Sequence, residues 1–269
     1  MSATPDLAGP VGRVKLVVAY DGSGFHGFAA NDGVRTVMGV LSAAVATVVR
    51  QPVTFTGAGR TDAGVHGWGQ VVSGDLPAGV DLVDLQRRLN KLCAPDIAVR
   101  SAAWVDDQFN ARFSAQWRHY RYEIWNSPTP NPMLASRTWW VTTPLALWAM
   151  REAADAVIGE HDFASFCRRP KVPAGEPEPS LTRRVLSTRW SDVTDPGAGG
   201  DGRLLRFEIR ANAFCHQMVR SIVGTLVDVG AGKIAPGRVP SILRAQRRQA
   251  AGQVAPPTGL TLWEVGYPD

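Results

Sequence analysis

A chain of 269 residues, 45% hydrophobic and 20% charged, is long enough for one large domain or two small ones, each with its own core. No stretch of about 18 apolar residues occurs, which excludes a membrane-spanning helix. Cys93, Cys167 and Cys215 form no Cys-x-x-Cys pair, which argues against a zinc ribbon or disulfide framework and points to a reducing cytoplasm. The formal net charge of +5 favours a polyanionic partner.

Residues 1–12 carry no basic segment followed by an apolar run, so the expectation is a short disordered leader rather than a signal peptide. Arg13 to Tyr20 alternates and is Val-rich, the pattern of a strand. Thr36 to Val49 places Val37, Val40, Leu41, Ala44, Val45 and Val48 on one helical face. A strand from Val53 to about Thr56 is followed by a Gly-rich loop, Gly57 to Gly69, and a short strand around Gly69 to Ser73. Asp81 suits the N-cap of a helix running to about Leu92, with Pro95 marking its end. Ile97 to Val105 reads as a strand.

His119 to Trp125 and Thr138 to Val141 are the next strand candidates, and a helix is expected from Pro144 to Ile158. A Pro-rich loop spans Pro170 to Pro179, with Arg168, Arg169 and Lys171 at its entrance. Arg184 to Trp190 and Leu204 to Ala211 form a hairpin pattern around the tip Pro196 to Gly202. A helix follows from about Phe214 to Val229, stopped by Gly230, then a short helix from Val239 to about Ala250 and a strand from Leu260 to Val265.

The first half reads β-α-β-β-α-β and the second repeats the rhythm. This predicts an α+β protein of two ferredoxin-like halves, 13–115 and 116–269, with helices on one face of a largely antiparallel sheet. A single irregular α+β domain has the same element count. In the two-half arrangement the expected place for an active site is a cleft between the halves.

The chemistry concentrates around Asp62, in Gly57-Ala58-Gly59-Arg60-Thr61-Asp62-Ala63-Gly64-Val65-His66-Gly67-Trp68-Gly69. Five glycines in this stretch let the backbone approach a ligand closely. One carboxylate held there, two residues from Arg60, suits a nucleophile or general base. A tight turn in which Asp62 caps backbone N–H groups fits the same spacing. Asp62 and His66 are too few ligands for a metal. No Gly-Lys-Ser/Thr follows the glycines and no Gly-x-Gly-x-x-Gly opens a helix, so neither a P-loop nor a dinucleotide cofactor is supported.

Gly59-Arg60-Thr61-Asp62-Ala63-Gly64-Val65-His66 resembles the signature of the tRNA pseudouridine synthase A family. Four further segments agree in order: Tyr20-Asp21-Gly22 with Phe25 and Gly27; Phe109 to Ala115 running on to Tyr120-Arg121-Tyr122; Asp162-Phe163 with Ser165-Phe166; and Ala211 to Phe214 with His216, Met218 to Arg220 and Ile222 to Gly224. The likeness runs from about Lys15 to Tyr267. Where the family usually has Trp-Gln after Gly27, this chain has Phe28-Ala29. It has Met38, not Gln, after Arg35-Thr36-Val37. These departures bear on RNA contacts or local packing in the first half.

The resemblance implies conversion of uridine to pseudouridine at positions 38 to 40 of the tRNA anticodon stem-loop, with no metal or organic cofactor, by a cytoplasmic homodimer. It implies Asp62 as the catalytic aspartate, Arg220 as the arginine that pairs with it, and Tyr120 as the aromatic side chain on the extruded uracil. Arg60 is expected at an RNA phosphate or near the flipped nucleotide. Arg112, Arg118, His119, Arg121, Arg168, Arg169 and Lys171 could line a groove for the RNA backbone. From the residues alone, Tyr120 also suits a strand aromatic and Arg220 a solvated helix face. Two other functions compete: an RNA-binding protein without turnover, and a metal-dependent hydrolase using Asp62 and His66.

Overall fold

The computed structural model describes residues 9–169, 172–173, 175–195 and 202–268. Most of the expected leader, Lys171 and most of the hairpin tip at 196–202 lie outside the described residues. The chain divides into two compact units, one containing residues up to Gln116 together with those from Thr261 on, the other spanning Trp117–Leu260.

In the first unit, β1 (Val11–Tyr20), α1 (Val37–Val49), β2 (Phe55–Gly57), β3 (His66–Pro77), α2 (Leu82–Leu92) and β4 (Ile97–Val105) follow the expected β-α-β-β-α-β order. Strand order is β4-β1-β3-β2, antiparallel throughout. Both helix starts are chemical: the Thr36 hydroxyl accepts the Gly39 N–H, and the Asp81 carboxylate accepts those of Val83 and Asp84, satisfying amides the first turn leaves without intrahelical partners. Val14, Leu16 and Val18 alternate onto the buried face of β1, where Leu41 and Val45 of α1 and Leu85 and Leu89 of α2 cover them. Truncating one of these leucines to alanine costs about 2–5 kcal/mol.

In the second unit, β5 (Trp117–Asn126), β6 (Trp139–Val141), α3 (Leu147–Asp155), β7 (Gly159–Asp162), β8 (Thr182–Asp192), β9 (Arg203–Ala211), α4 (Met218–Gly230) and α5 (Val239–Ala245) appear in chain order. The antiparallel order is β5-β9-β8-β7, with β6 parallel beside the end of β5. Tyr122, Ile124, Leu205, Phe207 and Ile209 of the sheet and Met150, Met218, Ile222 and Leu226 of the helices are buried. The final strand, β10 (Leu260–Gly266), returns to the first unit, where Thr261 and Leu262 run parallel to His66 and Gly67 of β3.

Several expected boundaries move. The helix expected at Pro144 begins at Leu147, because the Leu145 N–H is taken by Asn126 Oδ1 at 3.2 Å and the Ala146 N–H by the Gly230 carbonyl at 2.9 Å. The helix expected at Phe214 begins at Met218, after Gln217 in the left-handed region (φ 63°), because the Cys215 carbonyl accepts the Met218 N–H at 3.1 Å and closes a separate turn first. Gly230 does not stop α4. It is the last helical residue, and a Cβ there would lie 2.7 Å from Met150 Sδ, so it serves the close packing of α3. α5 ends at Ala245, before Gln246 in the left-handed region, and not near Ala250. The expected 57–69 loop is shorter, since β3 already begins at His66.

Candidate active site

The loop between β2 and β3 is held from several sides. Phe28 donates its N–H to the Thr61 carbonyl at 3.1 Å, and Val65 donates to the Asp62 carbonyl at 3.1 Å, closing a turn through Gly64 at φ 79°. A side chain at Gly64 would be strained in that left-handed position. The buried Thr61 hydroxyl pairs with the Tyr20 hydroxyl at 2.8 Å, and Gln70 Nε2 donates to the Gly59 carbonyl at 2.8 Å. Gly67 and Gly69 belong to β3 rather than to the loop. A Cβ at Gly69 would stand 2.3 Å from the Trp263 carbonyl oxygen, so this glycine admits β10 beside the strand. The result is a half-buried Asp62 carried on a short, pinned segment.

His66 is buried and committed elsewhere. Gly22 donates its N–H to Nδ1 at 3.1 Å, and the Asp21 carboxylate lies 3.3 Å from the same nitrogen. The ring thus accepts that main-chain bond through Nδ1. Its position ties the first turn after β1 to the start of β3. Among the described residues no group of three or more His, Cys, Asp or Glu side chains stands together as a metal site.

Burial pushes the Tyr20 phenol up to about 12, against opposing hydrogen bonds to Thr61 and Gln70. Burial raises Tyr122 as well, with the positive charge of Arg220 opposing it. An unfolded tyrosine ionises near pH 10, so the stability linked to a neutral Tyr20 is fully present below about pH 10 and lost as pH rises towards 12. That loss amounts to roughly 2–3 kcal/mol for Tyr20. Thermal melts from pH 9 to 12 should show the fall. Tyr20→Phe should make the fall shallower, leaving the part linked to Tyr122, and an unchanged slope in that variant would show that Tyr20 is not responsible.

The departures at Phe28 and Met38 are packing features. Both side chains are buried in the first unit's core, with the Phe28 ring 6.0 Å from that of Tyr20 and the Met38 N–H donating to the Phe28 carbonyl.

Asp62, Arg60 and Arg112 lie in the first unit, and Tyr120, Arg168, Arg169 and Arg220 in the second. Arg60 is exposed, and Arg112 is exposed with its guanidinium 5.4 Å from the Phe113 ring centre. Tyr120, on β5, is 8% exposed, its ring edge-on to Phe214 at 5.0 Å. Arg220 is half-buried in the first turn of α4, not on a solvated face. Its Nε donates to the Ala255 carbonyl at 2.8 Å, and the Ala255 N–H returns to the Arg220 carbonyl at 3.0 Å. Beside it the Tyr122 hydroxyl donates to the Pro256 carbonyl at 2.8 Å.

No sequence pattern of its own marks this strap at 253–256. Its signal was Gly224 within an apolar helix: a Cβ there would collide with the Gln253 carbonyl oxygen at 1.8 Å. Tyr20 steadies the loop of Asp62 through Thr61, a role that neither its strand nor the Tyr20-Asp21-Gly22 segment discloses.

The expected row of basic groups is partly neutralised. Arg121 lies opposite Glu208 in the β5–β9 register and donates to its carboxylate at 2.9 Å, with His119 3.5 Å from the same oxygen. Arg118 donates to the Asn212 carbonyl. Arg168 and Arg169 are exposed, and Arg169 pairs with Glu178 at 3.0 Å, a surface pair contributing about 0–1 kcal/mol that a phosphate can displace. No helix among the described residues is long and apolar enough to cross a membrane.

The family model described as tRNA pseudouridine synthase matches residues 16–114 and 153–268, spanning the Asp62 loop and α4, with Tyr120 between the two stretches. A curated Streptomyces griseus protein named tRNA pseudouridine synthase A is 40% identical over 263 residues, covering 95% of this chain and 88% of that one. Proteins of the same name from Bacillus pumilus and Bacillus subtilis are 38% and 37% identical over 259 and 257 residues, each covering 95% of this chain and 99% of its own.

Proposed function

Because the chain belongs to the tRNA pseudouridine synthase family, we propose that it isomerises uridine to pseudouridine at positions 38 to 40 of the tRNA anticodon stem-loop, with Asp62 as its catalytic carboxylate. The observation that carries this reading is the family match across both units, joined to a half-buried carboxylate on a loop pinned at Thr61, Asp62 and Gly59.

The reaction breaks the N1–C1′ bond, turns the uracil and forms a C5–C1′ bond, with the proton leaving C5 and another arriving at N1. Atoms and oxidation state are conserved overall, so the chemistry calls for no redox group or energy input. What it needs is a uridine taken out of the stack and a carboxylate at the sugar or base. Asp62 supplies the carboxylate. Arg220 is its cationic partner in this reading, and its tether to Ala255 supports a positioned guanidinium over a mobile one. Tyr120 receives the extruded uracil. Arg60, Arg112, Arg168 and Arg169 hold phosphates, which position the RNA without reading its sequence. The protein works in the cytoplasm as a homodimer.

An unmodified tRNA transcript incubated with the purified protein tests the reading, with pseudouridine mapped chemically. The expected product carries pseudouridine in the anticodon stem-loop, formed equally well with EDTA present. Binding with no modified uridine would favour an RNA-binding protein without turnover, and loss of activity in EDTA would favour metal-dependent chemistry.

A further inference from the structure

Cys167 and Cys215 have no part in that chemistry, yet the second unit sets them side by side. Arg168 donates its N–H to the His216 carbonyl at 3.0 Å, so the residues just before these two run on neighbouring backbone. The Leu181 carbonyl ties both segments together, accepting the Phe163 N–H at 3.1 Å and lying 3.7 Å from Cys215 Sγ. The Cys215 thiol donates to the Leu181 carbonyl, each thiol shifts the titration of the other, and the charges of Arg183 and Asp162 act on both. Cys167 is buried at 1% exposure, whereas Cys215 is half-buried.

We propose that Cys167 and Cys215 form a dithiol modification site, which hydroperoxides oxidise to an intramolecular disulfide. The two thiols are unequal in the way such a site requires. Cys167 lowers the Cys215 thiol, with Arg183 adding to the effect, while Cys215 and burial raise Cys167. Cys215, the more accessible, is therefore the thiolate that meets the oxidant. Its sulfur attacks a peroxide oxygen; the O–O bond breaks, a sulfenic acid forms, and hydroxide or alkoxide leaves to take up a proton. The Cys167 sulfur then attacks the Cys215 sulfur. The S–S bond forms, the S–O bond breaks, and the departing hydroxide leaves with the thiol proton as water. Two thiols thus supply the two electrons that reduce one hydroperoxide. The bond would join the segment after the 3-10 turn Ala164–Phe166 to the turn before α4, next to Phe214, which lies against Tyr120.

The test treats the reduced full chain with hydrogen peroxide, blocks remaining thiols and maps the peptides by mass. The expected result is a Cys167 peptide joined to a Cys215 peptide, lighter by two hydrogens, restored by dithiothreitol, with the buried Cys93 still reduced. In Cys167→Ser, Cys215 should stop as a sulfenic acid that dimedone captures, and go on to the sulfinic acid at higher peroxide. The wild-type chain should yield at least several-fold less dimedone adduct. Absence of the joined peptide in the wild-type chain overturns the proposal whether or not the variant folds. Equal dimedone capture on Cys215 in a folded Cys167→Ser or Cys167→Ala variant overturns it as well.

Discussion

Replacing Asp62 by alanine is expected to abolish measurable pseudouridine formation while tRNA affinity stays within a few-fold of the wild-type value. The loop should survive the change, because its turn is closed by main-chain bonds an alanine retains: Val65 N–H to the residue 62 carbonyl, and Phe28 N–H to that of Thr61. The Thr61–Tyr20 and Gln70–Gly59 bonds also remain. What disappears is the one group proposed to act on the sugar or base. Loss of such a group lowers the rate by roughly four orders of magnitude, about 5 kcal/mol in the barrier. Asp62→Asn separates shape from charge and should be nearly as inactive. Single-turnover rates with a saturating excess of enzyme would measure this directly. A rate within about tenfold of wild type in either folded variant would remove Asp62 from the chemistry.

The second large effect is expected at Tyr120. A ring stacked on an extruded base contributes roughly 1–3 kcal/mol, so Tyr120→Ala should slow isomerisation by about 10- to 100-fold. Tyr120→Phe keeps the ring and should stay within a few-fold of wild type, whereas an equal loss in both variants would move the role to the hydroxyl. The alanine variant also loses an edge-on contact with Phe214 at 5.0 Å and a largely buried side chain, which lowers stability. Rates should therefore be compared well below each variant's unfolding midpoint. Near wild-type turnover in Tyr120→Ala would show that no base stacks there.

What the sequence disclosed depended on whether the physics was local. Asp81 caps α2 with its own side chain and Thr36 caps α1, so both starts are legible, and the strand expected from Ile97 to Val105 is β4 to the residue, opening with buried Ile97 and Val99 between exposed Ala98 and Arg100. The start of α4 is not legible because residues 214–217 read as helical, whereas Gln217 takes the left-handed region and the Cys215 carbonyl closes a turn onto the Met218 N–H. β7 was missed because Gly159-Glu160-His161-Asp162 carries no apolar alternation. It is a strand only because β8 pairs with it. The same holds for the site. The Asp62 motif was readable as a motif, but the strap that holds Arg220 depends on residues about 35 positions further on, and the neutralisation of Arg121 depends on a register with Glu208 across 87 residues.

The return of β10 has a consequence for how the molecule is made. His66 and Gly67, directly after the Asp62 turn, lie beside Thr261 and Leu262, about 195 residues away in sequence. Pairings so distant form late, because a long loop must close before they reward it. During synthesis the segment around Asp62 leaves the ribosome early, while the strand that completes its edge has not yet been made. Its final seating waits for translation of Leu260–Gly266, so a nascent chain cannot hold the finished first unit before the second has been synthesised.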